Sequence, residues 1–306
     1  MAKDGKPQLD PRRPKPLIVP PRKEHTHTTI LLHDKGDKGR VFGREFLKST
    51  GLQDHFPTVQ FVFPCAFNAP TSDSSDKTTH SNGDAKRRTT PPTQWFDDPS
   101  QMRRVESATA SLAETARFLQ RLIHDEAKVL TKNGKYRMHE AHKRIFIGGH
   151  GQGGAAALLY LLGSHRRLGG FIGLDTTMPW QLQLEMALEV GMHGEDDFGV
   201  VRGVDYVRDL LGFEHLEEKG GEYAKSLLHL RTPVFLGHGA PQKHGRIIAS
   251  VLAAGFRMEV TERLGASKGR QWYAQAEDLE AVLGFVEGIG VPRTCLVSED
   301  DRDFKR

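Results

Sequence analysis

The chain has 306 residues, with 43 Lys+Arg against 39 Asp+Glu, two cysteines and 37 % hydrophobic side chains. That length buries one large α/β core, and two cysteines are too few for a disulfide framework. No apolar run approaches the roughly 20 residues that a membrane-spanning helix needs, and the N-terminus lacks the apolar stretch of a secretion signal, so a soluble cytoplasmic protein is expected.

The formal charge of +4 lies entirely in the first 24 residues, where Lys3, Lys6, Arg12, Arg13, Lys15, Arg22 and Lys23 outnumber Asp4, Asp10 and Glu24. Residues 25–306 are formally neutral. The Pro-rich segment 1–24 therefore reads as a disordered basic tail, and nucleic acid is not an expected partner.

The first strand signal is "THTTILLH", Thr26 to His33, closed by the loop "DKGDKG". "VQFVFP", Val59 to Pro64, is a second strand stopped by a proline. From 71 to 93 the chain turns polar and reads as a mobile surface insertion. "SATASLAETARFLQRLIHDEAKVL" sets Leu112, Ala116, Leu119, Leu122 and Ile123 on one helical face. A strand, "RIFIGG", and a helix of small residues, Ala155 to Leu162, follow.

"GGFIGL" (Gly169–Leu174) and "TPVFLGHG" (Thr232–Gly239) are buried strands; the charged, glycine-containing stretch 181–230 between them suggests a lid. "RIIASVLAAGF" predicts a helix ending at Gly255, "RMEVTER" a last strand, and "EDLEAVLGFVEGI" a closing helix before a polar tail, 291–306. Strands alternating with helices predict one α/β domain over 25–290, a mostly parallel sheet covered on both faces.

The chemistry is written at "GGHGQGG", Gly148 to Gly154. An apolar strand entering a glycine-rich corner and leaving as a helix is the pattern of a nucleophile elbow, which lifts one side chain above the sheet beside a backbone N–H able to stabilise an oxyanion. Here the apex residue is Gly151, which has no side chain to lift.

Several collinear segments carry a family resemblance. "ILLHDKGDKG", "FVFPCAFNAP", "TQWFD" (Thr93–Asp97), the elbow itself, "LGGFIGL", "TPVFLGHG" and "QWY" follow one another through the chain. From about His25 to Ile289 it resembles the acyl-protein thioesterase / carboxylesterase (phospholipase/carboxylesterase) family of α/β-hydrolases, in its fungal style. The resemblance implies the α/β-hydrolase fold and a Ser–Asp–His triad. Matched motif by motif, the serine position is Gly151, the acid position Gln242 and the histidine position Gln271, and no histidine follows His244. The family's His-Gly in the oxyanion loop is His33-Asp34, which sets a carboxylate where an oxyanion should form. A Ser-Gly step after the strand "GFIGL" is Asp175-Thr176, a position with no triad role.

The expected pocket residues are His33, Asp34, Lys35, His150, Gln152, Gly153 and His238. Neither a cofactor nor a metal is expected. The reading is a pseudo-hydrolase that holds an acyl or carboxylate ligand, or an acylated protein, with the N–H groups of Gln152 and Gly153 as an anion cradle. The alternative is an active hydrolase, lyase or isomerase in which His33, His150, His238, His244 and Asp34 serve as acid, base or metal ligands. Cys65 reads as a buried inert thiol, and His80 and His165 as solvent-exposed loop residues. The oligomeric state is left open.

Overall fold

Runs of β-branched and apolar residues build a sheet whose four central strands are buried along their whole length, as strands covered on both faces must be. The computed structural model describes residues 13–68, 93–97, 99, 105–132, 134–189, 198–216, 227–239, 244–265, 269 and 271–294. In chain order the elements begin β1 (Leu17–Val19), β2 (His27–Leu32), α1 (Gly39–Thr50), α2 (Leu52–His55), β3 (Val59–Phe63), β4 (Phe67–Asn68) and β5 (Thr93–Gln94). Next come α3 (Val105–Thr131), α4 (Met138–His142), β6 (Ile145–His150), α5 (Gly151–Gly163), β7 (Gly170–Leu174), α6 (Gln181–Glu189) and α7 (Phe198–Leu211). β8 (Val234–His238), α8 (His244–Ser250), β9 (Val260–Leu264) and α9 (Ala276–Gly288) complete them.

The sheet order is β1-β3-β2-β6-β7-β8-β9, with β1 antiparallel and every other pairing parallel. β4 and β5 form a separate antiparallel pair. On one face Leu112 and Leu119 of α3, most of α5, and Val204 and Val207 of α7 pack on Ile30, Ile147 and Leu236. On the other, Phe42 and Phe46 of α1 and Val282 and Val286 of α9 cover Leu31, Phe61, Phe146 and Phe235. The fold is the mostly parallel α/β sheet with helices on both faces that the alternation of elements predicts.

Three boundaries differ from the sequence reading. The domain reaches back before residue 25, because β1 pairs with β3 and Arg13 is buried, its guanidinium 3.4 Å from the centre of the Phe67 ring and 4.0 Å from that of Phe118. Within the stretch 181–230, read as a possible lid, α7 packs into the core: Val204, Val207 and Leu211 are fully buried, with Leu211 and Val207 against Gly163 of α5. The C-terminal tail begins later than 291, since Val291 is buried, Arg293 forks onto the Glu280 carboxylate, and the Thr294 N–H donates to the His55 carbonyl (2.8 Å). The helix predicted to end at Gly255 does so through a π turn, Val251–Gly255, after α8. The proposed insertion lies, up to residue 92, outside the described residues.

Under the sheet, Glu126 of α3 is buried and accepts hydrogen bonds from the Gln60 amide (2.7 Å) and the Thr28 hydroxyl (3.5 Å). Burial pushes its carboxyl up to about 7. Because the folded state then holds a proton that the unfolded chain releases near 4.5, this group's contribution to stability is full below that value and is lost as pH rises through 7. Glu126→Gln should flatten the decline between pH 4.5 and 7 in urea-unfolding free energies; an unchanged slope would show that Glu126 titrates normally.

Candidate functional site

β6 runs into α5 without an intervening residue. His150 keeps extended geometry, and Gly151, the first helical residue, has φ +52°, which a residue without a Cβ adopts at little cost. Two residues on, a Cβ at Gly153 would overlap the carbonyls of Leu32 and His33, so α5 can sit close against the end of β2. This approach carries the Gln152 N–H to the loop that follows β2.

Asp34 meets it there. Its Oδ1 accepts hydrogen bonds from the backbone N–H of Gln152 (2.8 Å) and of Lys35 (2.7 Å). A Cβ built at Gly151 would overlap the same carboxylate. The side chain of Asp34 therefore fills the space that a side chain at 151 would need, and occupies the donors that would otherwise face a substrate oxygen.

The neighbouring groups hold this arrangement. His33 is fully buried; its Nδ1 donates to the Asp34 carbonyl (2.8 Å) and its Nε2 accepts from the Ala66 N–H (3.0 Å), which sets the tautomer. Burial lowers its pKa, consistent with a neutral ring. Gln152 clamps the opposite wall, accepting from the Trp95 N–H (2.9 Å) and donating to the Phe96 carbonyl (2.9 Å).

His150 lies between two carboxylates, with Nδ1 3.8 Å from Asp34 Oδ2 and Nε2 3.4 Å from Asp175 Oδ2. Asp175, just past β7, has φ +48° and accepts from the Gly239 N–H (2.9 Å) and the Trp272 indole N–H (2.8 Å). Burial alone would raise its pKa, but His150 and these donors outweigh it and hold the carboxyl below its ordinary value. A non-glycine residue at such a φ costs on the order of 1–3 kcal/mol, so the surrounding bonds must maintain it.

Above these groups opens a cavity of about 850 Å³. Asp34, Lys35, His150, Gly151, Gln152, Asp175 and Gln183 give it a polar floor and rim, and Phe96, Pro99, Met178, Pro179 and Trp180 an apolar wall.

Of the residues singled out from sequence, His33, Asp34, Lys35, His150, Gly151, Gln152 and Gly153 come together here. His238 is buried at the end of β8, neither ring nitrogen has a hydrogen-bond partner among the described residues, and burial lowers its pKa. Gln271 is exposed, before the 3-10 turn Trp272–Ala274, and does not line the cavity. Gln242 and His80 lie outside the described residues. His244 opens α8, and His165 is exposed. Cys65 is free and buried. Among the described residues no group of three or more His, Cys, Asp or Glu is arranged to hold a metal. The sequence reading gave neither Asp175 nor Trp272 a role in the site. A carboxylate at the carboxyl end of the strand beside the elbow was the available signal, since α/β sheets place their sites there.

Sheet order, helical layers and a strand-to-helix corner at the carboxyl edge define an α/β-hydrolase. Residues 13–202, more than half of the chain, match the model of the phospholipase/carboxylesterase family, and the chain belongs to that family. It is 27 % identical over 252 residues to acyl-protein thioesterase 1 of Cryptococcus neoformans, spanning 75 % of this chain and 92 % of that one. Among solved structures it resembles acyl-protein thioesterase 2 of Zea mays (TM-score 0.55, 17 % identity, 90 % of this chain and 98 % of that one). Esterase PE8 is similar at TM-score 0.52 and 14 % identity, over 90 % and 98 %. At these identities the structural likenesses speak to fold alone.

If Asp34 occupies the space at 151, Gly151→Ala should destabilise the protein through both the positive φ and the clash. In an Asp34→Gly background only the φ cost should remain. A double-mutant cycle by urea unfolding should give a coupling of about 1 kcal/mol or more. Additivity would place the Asp34 carboxylate elsewhere.

Proposed function

We propose that this chain is a non-hydrolysing member of its family, a pseudo-hydrolase that holds an acyl-bearing ligand, free or attached to a protein, in the cavity above Asp34. The observation that carries the reading is the contact of Asp34 with the Gln152 and Lys35 N–H groups. Acyl transfer needs a nucleophile at the apex and donors open to a developing oxyanion. Here the apex is glycine and a carboxylate of the chain itself sits on the donors. The same contact revises the ligand: a carboxylate would have to displace Asp34 from Gln152, and would meet Asp175 beyond it. An uncharged acyl group against Phe96, Met178 and Trp180 fits the lining better. No described helix is long and apolar enough to cross a membrane, and we assign the protein to the cytoplasm on its cysteine usage.

The expected outcome is no labelling by a fluorophosphonate probe and no turnover of p-nitrophenyl esters or acyl thioesters. Labelling of the native chain that heat denaturation abolishes would overturn the reading. A non-hydrolysable acyl thioether should quench Trp180 fluorescence saturably, and Trp180→Leu should remove that signal. Adding Ser, Asp and His at 151, 242 and 271 should restore little hydrolysis while Asp34 remains, and more once Asp34→Gly is included.

A second reading rests on His150, whose ring nitrogens face Asp34 and Asp175 at the cavity floor. A histidine between two carboxylates can move a proton without any serine, as a lyase or isomerase requires. Turnover of a screened substrate that is lost in His150→Gln, with an unchanged thermal unfolding midpoint, would favour it.

A further inference from the structure

A second cavity, of about 280 Å³, opens at the other edge of the sheet, where α4 leads into β6 and the loop 164–168 leads into β7. Its lining is cationic or neutral. Arg121 and His124 reach it from α3, His142 from α4, and His165 and Arg166 from the loop, and no Asp or Glu is among the described residues that line it. Neither arginine has an ion-pair partner among the described residues.

The floor is built rather than incidental. His142 is 3 % exposed and donates through Nδ1 to the Met138 carbonyl (2.7 Å), which leaves Nε2 without a partner among the described residues. Tyr160 of α5 is 6 % exposed and its hydroxyl likewise has no such partner. Both side chains are buried and line the cavity, so each offers an unused hydrogen bond that a ligand or water entering it can take up. Ser164, Leu168 and the Phe213 ring close the remaining sides.

We propose that this cavity is a binding site for a small phosphoryl anion, seated on Arg121 and Arg166 and hydrogen-bonded by His142 and Tyr160. Guanidinium groups match phosphate oxygens in a forked geometry, and a volume near 280 Å³ admits a phosphate with a short substituent. The site lies at the amino ends of the strands, whereas Asp34, His150 and Asp175 lie at their carboxyl ends, so it is separate from the family's reactive corner.

The electrostatic surroundings agree. Burial lowers the pKa of His142, opposed by its bond to Met138 and reinforced by Arg166 and His124. Burial also lowers that of His165, reinforced by Arg166, Arg208 of α7 and His142. The charges acting on both rings are cations, so an anion would reverse that repulsion and draw in a proton as it binds.

Calorimetry on the full chain tests the site with sulfate, inorganic phosphate and a soluble phosphomonoester. Sulfate keeps its charge across the range, so its pH dependence reports the histidines. Saturable binding is expected, about tenfold tighter for sulfate at pH 6 than at pH 8. Arg121→Glu with Arg166→Glu, both exposed positions, should weaken it at least about tenfold, and Tyr160→Phe should weaken it more modestly, with thermal unfolding midpoints close to that of the parent. Co-sedimentation with vesicles containing phosphatidic acid separates the two sources of the phosphoryl group. Vesicle binding lost in the double variant assigns a lipid headgroup; free phosphate binding without vesicle binding assigns a soluble ligand. Absence of saturable binding, equal binding by the double variant, or pH-independent sulfate binding would each overturn the proposal.

Discussion

The close seat of α5 against the carboxyl ends of β2 and β6 is the constraint on which the site depends. It requires glycine at 153, where the helix meets the carbonyls of Leu32 and His33, and it is entered through Gly151 at positive φ. Once the helix is seated there, the Gln152 N–H faces the loop after β2. What stands opposite it then decides what the corner does. In this chain that group is Asp34.

Donors that catalyse acyl transfer contribute because their hydrogen bonds strengthen as charge develops in the transition state. Donors already bonded to a carboxylate of the same chain are satisfied in the resting state. Their energy then goes into ordering the loop, with charge-assisted hydrogen bonds worth roughly 1.5–3 kcal/mol each before the cost of ordering Asp34. His33 belongs to the same loop, joined to the Asp34 carbonyl and to Ala66, and its own carbonyl accepts from the Trp95 indole (2.7 Å). The histidines that the sequence offered for catalysis divide accordingly. His33 is structural, His238 is buried at the end of β8, and among the described residues His150 is the histidine that lines the cavity beside carboxylates.

Much of this was legible in the sequence, for reasons that differ by element. The buried strands are long enough apolar runs to be seen one at a time, and the glycines around residue 151 set the register of the corner. Asp34 stood out as a charge in an oxyanion loop, but its meeting with Gly151 depends on how closely α5 seats on β2, which no local pattern encodes. Asp175 was noted but given no role, because its role arises from β7 lying beside β6 and β8 and from Trp272 arriving much later in the chain. β1 is three residues long, too short for periodicity to register, and it sits among charges that favoured a tail. The charged side chains along α7 suggested a lid, although its valines and leucines form a core stripe.

Arg13 extends the reach of the site to the beginning of the fold. Its guanidinium lies against Phe67 and Phe118, and it donates to the carbonyl of Cys65 (3.2 Å), the residue before Ala66, whose N–H holds His33. A protease that clips the chain just after Arg13 would leave the sheet intact yet release that strut. The slack would pass through Ala66 and His33 to Asp34, so Arg13 acts as a distant tensioner on the corner where the family does its chemistry.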